Sequence, residues 1–194
     1  MSAPKVLYHL FCAAPPTLNV SDYIKLAQAA EWDVCAIATP RAATWIDLQE
    51  LRDLTGHPVR TEHKMPGEPD VLPPPTAITV GPITFNTLNK WALGIADNLV
   101  LALLTESLGL GIPVVALPYL NAAQAAHPAV AESAARLRAA GATILIKGER
   151  HAGYQPHPPG QGDRLQVPWD LLLRTLDRRP RADDPRGDSP RYGR

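Results

Sequence analysis

The chain has 194 residues, 45% apolar and 20% charged, with 19 Lys plus Arg balanced by 19 Asp plus Glu. At roughly 100–200 residues per domain that describes one globular domain with enough apolar surface for a core, and zero formal charge gives no support to nucleic acid or an anionic membrane as a partner. Two cysteines, Cys12 and Cys35, each in an apolar segment, exclude a disulfide-stapled secreted scaffold and suit a reducing, cytoplasmic setting, and no stretch reads as a signal peptide or a membrane span.

In chain order, residues 6–11 (VLYHLF) read as a first strand. A turn containing Pro15 and Pro16 leads to a helix over 22–32, capped by Ser21, with Tyr23, Leu26, Ala27 and Ala30 on one stripe. Residues 34–39 (VCAIAT) are a second strand, and 43–54 a helix ending at Gly56. The segment 65–75 holds five prolines and cannot be helical; a long loop in a compact domain is either functional or a surface Ω-loop. Strands at 77–81, 113–117 and 143–147 alternate with a long apolar helix over 86–108 and a helix over 128–140, in which Val130, Ala134 and Leu137 point inward before Gly141. A last amphipathic helix covers 168–178, closing a domain of residues 1–178, and the Arg-, Asp- and Pro-rich tail 179–194 is expected to be disordered. The strands are nearly continuous apolar runs, as strands covered on both faces are, so the alternation predicts an α/β, Rossmann-like doubly wound parallel sheet.

Common nucleotide and hydrolase signatures are missing: no G-x-G-x-x-G, no phosphate-binding G-x-x-x-x-G-K-[ST] and no G-x-S-x-G. His151 and His157, in a proline-rich loop, are a weak metal signal, so no metal site is expected. Buried free cysteines usually act as small hydrophobes, so neither Cys12 nor Cys35 is assigned a nucleophilic role, and Trp32, Trp45, Trp91 and Trp169 are expected to pack helices, with Trp45 and Trp91 the candidate exceptions. The informative segment is 81–98 (GPITFNTLNKWALGIADN), in which a strand ends at Gly81-Pro82, Thr84, Asn86 and Thr87 follow, and a helix begins. Hydroxyls, an amide and free N–H groups thus gather at the carboxyl end of a strand, where open α/β sheets bind ligands; a simple helix cap by Thr84 or Asn86 is the plainer alternative.

This segment resembles the P-A-S/T-A-N-T…K…G-I/L-x-D-N-L signature of the homo-oligomeric flavin-containing cysteine decarboxylases, with Pro82, Thr84, Asn86, Thr87, Lys90, Gly94, Asp97, Asn98 and Leu99 in register. A second block, Pro118 to Asn121 and then His127-Pro128, resembles the family's P-x-M-N-x-x-M-W-x-N-P substrate motif. The resemblance implies an FMN site (FAD being possible) using Ala13, Thr17, Thr39, Thr44, Pro82, Thr84, Asn86, Thr87, Asp97 and Asn98. It also implies oxidative decarboxylation of a peptide's C-terminal cysteine, or of a small cysteine-containing acid, to an enethiol, in a homo-oligomer, a trimer or dodecamer, whose interface the 99–108 helix and the proline-rich loop would serve. In that family a histidine acts fourteen residues before the position of Pro82; here that position is Glu68, with His63 the nearest histidine. Glu68, His63 and Asn121 are therefore the candidate catalytic residues. The alternatives are a flavin-binding sensor or regulatory module without catalysis and, less well matched, a flavin prenyltransferase.

Overall fold

A computed structural model of the chain describes residues 5–146, 155–162 and 167–178. Five parallel strands form one sheet: β1 (Val6–Phe11), β2 (Asp33–Ala38), β3 (Ala77–Ile83), β4 (Val114–Pro118) and β5 (Thr143–Ile144). Their order is β2-β1-β3-β4-β5. The helices are α1 (Val20–Ala29), α2 (Pro40–Ala43), α3 (Leu48–Thr55), α4 (Phe85–Ala92), α5 (Leu99–Gly109), α6 (Ala122–Ala125), α7 (Pro128–Ala139) and α8 (Trp169–Asp177). Because successive side chains in a strand alternate faces, Tyr8, Leu10, Ile78 and Val80 pack with Leu88, Leu104, Val130 and Leu137 of α4, α5 and α7 on one side. Leu7, Phe11, Ala77 and Val115 pack with Tyr23, Ile24, Leu51 and Leu172 of α1, α3 and α8 on the other. This is the doubly wound α/β arrangement that the apolar runs predict.

Several boundaries differ from the sequence expectation. Ser21 does not cap α1: a 3-10 turn over Pro15–Asn19 runs directly into the helix, and Asn19 stands at the N-cap. Leu26 lies outside the buried stripe, its place taken by Ile24. The helix expected over 43–54 is two pieces, because Thr39 starts α2 and Asp47 starts α3 as separate caps; Gly56 ends α3 in the left-handed region, at φ 72°. The helix expected over 86–108 is likewise α4 and α5, separated by a turn in which Gly94 has φ 73°. β3 runs on to Ile83 through a cis Gly81–Pro82 bond. Lys147, His151 and the tail 179–194 lie outside the described residues. Among the described residues no helix is long and apolar enough to cross a membrane.

Candidate functional site

The strand order reverses direction between β1 and β3, and open parallel sheets bind ligands in the crevice that such a reversal opens at the strands' carboxyl ends. The two ends are tied together there: the Cys12 N–H donates to Pro82 O at 3.0 Å, and the Cys12 thiol donates to Thr87 Oγ1 at 3.4 Å. Thr84 Oγ1 donates to Thr87 Oγ1 (3.1 Å) and accepts from the Thr87 N–H (3.4 Å), which makes Thr84 the N-cap of α4. Burial pushes the Cys12 thiol up, against the pull of its Thr87 and Thr84 partners, so it stays a neutral strut. Pro82 and Thr87 are buried, Thr84 is half-buried and Asn86 is exposed. What remains for a ligand is the Asn86 amide, which has no partner among the described residues, and the N–H groups of Phe85 and Asn86, which open the helix and have no acceptor within it. Such donors, at the positive end of a helix, suit the carbonyl-rich, electron-accepting edge of an aromatic heterocycle.

The neighbouring turn is poorer in donors. Ala13 is half-buried at the end of β1, Pro15 and Pro16 lack N–H groups, and the fully buried Thr17 hydroxyl donates to Cys12 O at 2.6 Å. Thr39 Oγ1 accepts from the Ala42 N–H at 3.3 Å, and the exposed Thr44 hydroxyl donates to Arg41 O at 2.9 Å. Thr17 and Thr44 thus spend their O–H donors inside the chain, whereas, among the described residues, Thr39 only accepts and keeps its O–H donor. Two groups remain that the sequence argument passed over. Arg41, in the first turn of α2 just beyond β2, makes no ion pair among the described residues. Ser21, freed from capping, lines a cleft of about 200 Å³ with Thr17, Trp45, Ile46, Asp47 and Glu50. Two carboxylates make that cleft unfavourable for an anion. Trp45 is the exposed exception among the tryptophans; Trp91 is buried and donates from Nε1 to Leu104 O at 3.1 Å.

The second block lies beside the first. The Tyr119 N–H donates to Ile83 O at 2.9 Å, so the end of β4 sits against the end of β3. Asn121 caps α6 through Oδ1, accepting from the Gln124 N–H at 2.8 Å, while Gln124 Oε1 takes the Asn121 N–H at 3.1 Å. The Asn121 Nδ2 group has no acceptor among the described residues. His127 accepts the Ala129 N–H at Nδ1 (3.2 Å), and its ring meets Phe85 edge-on at 5.6 Å. His157 arrives from the C-terminal loop as the bridge partner of Asn121.

Other expected site residues lie elsewhere. Glu68 is exposed and closes its own turn, Oε2 accepting the Met65 N–H at 2.8 Å; His63 is exposed on the same loop. Neither makes a hydrogen bond or ion pair to the 82–87 corner or to Asn121. Asp97 pairs with Lys90, and Asn98 Oδ1 caps α5 by accepting the Leu101 N–H at 3.1 Å. Both residues build the α4–α5 turn. The 99–108 segment buries Leu99, Val100, Leu101 and Leu104 within the chain rather than presenting them to a partner.

No curated protein matches the chain by sequence. Its fold is similar to that of the FMN-dependent cysteine decarboxylase SpaF, at 24% identity over 73% of this chain and 83% of that one, with a TM-score of 0.62. TvaF, an FMN-dependent cysteine decarboxylase from thioviridamide biosynthesis, gives 21%, 90%, 96% and 0.67. The epidermin biosynthesis protein EpiD from Staphylococcus aureus gives 22%, 74%, 84% and 0.63, and a variant of EpiD is known with the substrate peptide DSYTC. The Flavoprotein family model matches residues 20–161, a span that carries β2, β3, β4, β5, the 82–87 corner and Asn121. On that match, over more than half of its length, the chain belongs to the Flavoprotein family.

Proposed function

We propose that the chain binds FMN at the crevice between β1 and β3 and oxidatively decarboxylates a C-terminal cysteine, either of a peptide or of a small thiol acid. The observation that carries this is the set of unspent donors at residues 85–86, the Asn86 amide and the first N–H groups of α4, at the point where the strand order reverses. Membership of the Flavoprotein family supports it, as does likeness of fold to cysteine decarboxylases.

Bound flavin supplies the two-electron oxidation. The chain's own residues bind and orient. Asn86 and the α4 amides hold the pyrimidine edge of the ring, where donors stabilise developing negative charge. Arg41 takes the phosphate end, and Asn121 Nδ2 donates to the substrate carboxylate, fixing the cysteine against the ring. The two buried free cysteines suit a reducing, cytoplasmic protein.

The test is reconstitution with FMN followed by incubation with a peptide ending in cysteine. The expected result is a yellow protein and a peptide lighter by one carbon dioxide and two hydrogens. Asn86→Ala loses the flavin, and Arg41→Gln weakens FMN by about tenfold while leaving riboflavin unchanged, since only the charge-assisted phosphate contact is removed. A protein that takes up no flavin overturns the reading. Uptake with the peptide untouched supports the second reading, a flavin-binding module without catalysis, which the exposed and internally bonded Glu68 favours.

A further inference from the structure

His157 lies 36 residues beyond Asn121 in the chain yet pairs with it as a parallel bridge. The Ala122 N–H donates to His157 O at 2.8 Å, and the His157 N–H donates to Leu120 O at 3.2 Å. Paired residues of a parallel ladder sit about 4.8 Å apart with side chains on the same face, so the imidazole stands beside the Asn121 amide. Its ring lies 4.9 Å from the ring of Tyr119, and the Tyr119 hydroxyl donates to Gly162 O at 2.9 Å, closing the loop over it. A Cβ at Gly162 would come within 3.4 Å of His157 Cε1, so the loop backbone also bears on the ring. Residue 157 is only 7% exposed.

The hydrogen bonds of this ring decide what it can do. Nδ1 lies 2.9 Å from Pro158 O, and a carbonyl only accepts, so Nδ1 carries the proton. Neutral imidazole has one N–H, which leaves Nε2 with its lone pair, and no hydrogen-bond partner for it occurs among the described residues. The other imidazole here has the opposite tautomer: His127 Nδ1 accepts the Ala129 N–H, so its Nε2 is a donor. The His157 ring is thus a base held in one orientation by stacking and by a carbonyl at its far nitrogen, next to the amide that would hold a substrate carboxylate.

We propose that His157 is a catalytic residue that selects and ionises the substrate thiol; this rests on the reading of the site given above. With the carboxylate on Asn121 Nδ2, the thiol of the same terminal cysteine approaches His157 Nε2. The S–H bond breaks, the proton moves to Nε2, and the electron pair stays on sulfur. The product is a thiolate facing an imidazolium whose Nδ1–H still donates to Pro158 O. A thiol is acidic enough for this transfer and an alcohol is not, so the residue distinguishes cysteine from serine at the peptide's end.

The experiment measures binding of two peptides, identical except for a terminal cysteine or serine, to the FMN-loaded protein. The native chain is expected to prefer the cysteine peptide by about tenfold, the contribution of a charge-assisted contact. His157→Gln is expected to abolish that preference while keeping flavin and circular dichroism unchanged. A second measurement needs no variant. Nitrogen-15 resonances of the His157 ring in the native protein are expected to show the Nδ1–H tautomer alone and a doubly protonated ring with the cysteine peptide. Preference retained in His157→Gln, or a ring still singly protonated in the complex, overturns the proposal and leaves the flavin site standing. A native protein that binds neither flavin nor peptide overturns both.

Discussion

His9 is the residue whose surroundings make the sharpest thermodynamic statement. It is fully buried in the middle of β1, its ring 4.2 Å from that of Tyr23 and 5.8 Å from that of Phe11. Thr79 Oγ1 lies 3.0 Å from Nδ1 and also accepts the Tyr23 hydroxyl at 3.1 Å, while Nε2 has no hydrogen-bond partner among the described residues. Burial penalises the charged ring and pulls it down from 6.5 to about 3, outweighing an opposing backbone contact at Gly81. The unfolded chain therefore binds a proton below pH 6.5 that the native chain refuses. Stability is full at neutral pH and declines as pH falls from 6.5 towards 3, by up to about 1.4 kcal/mol per pH unit. His9→Phe is expected to remove that slope, so that its urea midpoint falls less between pH 7 and about pH 5 than the native protein's; equal falls in the two proteins would refute the assignment. None of this was legible in the sequence, where VLYHLF is an apolar strand with one polar letter. The partners of His9 lie on β3 and α1, and only the register of β1 against β3 brings them together.

Helices and turns show a different limit of the sequence. Hydrophobic periodicity carries straight through 86–108, because the residues before and after the break are both apolar, and the cap signals are weaker than the run they interrupt. The break is nevertheless built locally. Gly94 takes a left-handed conformation, Lys90 and Asp97 pair across the turn, and Asn98 caps the next helix. The residues that make 81–98 resemble a flavin signature thus do two jobs: Thr84 and Asn86 shape and furnish the corner, and Gly94, Asp97 and Asn98 turn the chain. On the other face, α8 packs against β3 because Gly81 has no side chain. A Cβ there would stand 3.0 Å from Leu172 Cδ2 and 3.3 Å from Trp169 Cζ3. Gly81→Ala is expected to push α8 off the sheet at a cost of ~1–3 kcal/mol, seen as a lower denaturation midpoint. Pairing it with Leu172→Ala, which makes room for the methyl, should leave the added cost of the Gly81 change smaller than in the native background. Additive losses would show that the contact does not carry the effect.

At the scale of the whole molecule the sheet was legible, because continuous apolar runs bounded by Gly and Pro can be little else than strands covered on both faces. The site was legible only where it is contiguous in sequence, at 82–87 and 118–121. His157 reaches Asn121 from another loop, and nothing in its own neighbourhood announces that. Assembly can be argued from what the fold leaves uncovered. Leu99, Val100, Leu101 and Leu104 of α5 are buried inside the chain, whereas Leu93 and Ile95, flanking Gly94 in the α4–α5 turn, are 64% and 41% exposed. The two residues lie at the far end of α4 from the donors of residues 85–86. If copies of the chain assemble as the family resemblance implies, these two side chains are the apolar contribution of α4, each gaining roughly 1.5–3 kcal/mol on full burial. Leu93→Glu combined with Ile95→Glu is then expected to convert an oligomer to monomers in sedimentation, with circular dichroism unchanged. A native chain that sediments as a monomer with its flavin tightly bound would remove the turn from any interface and make the corner at residues 82–87 sufficient by itself.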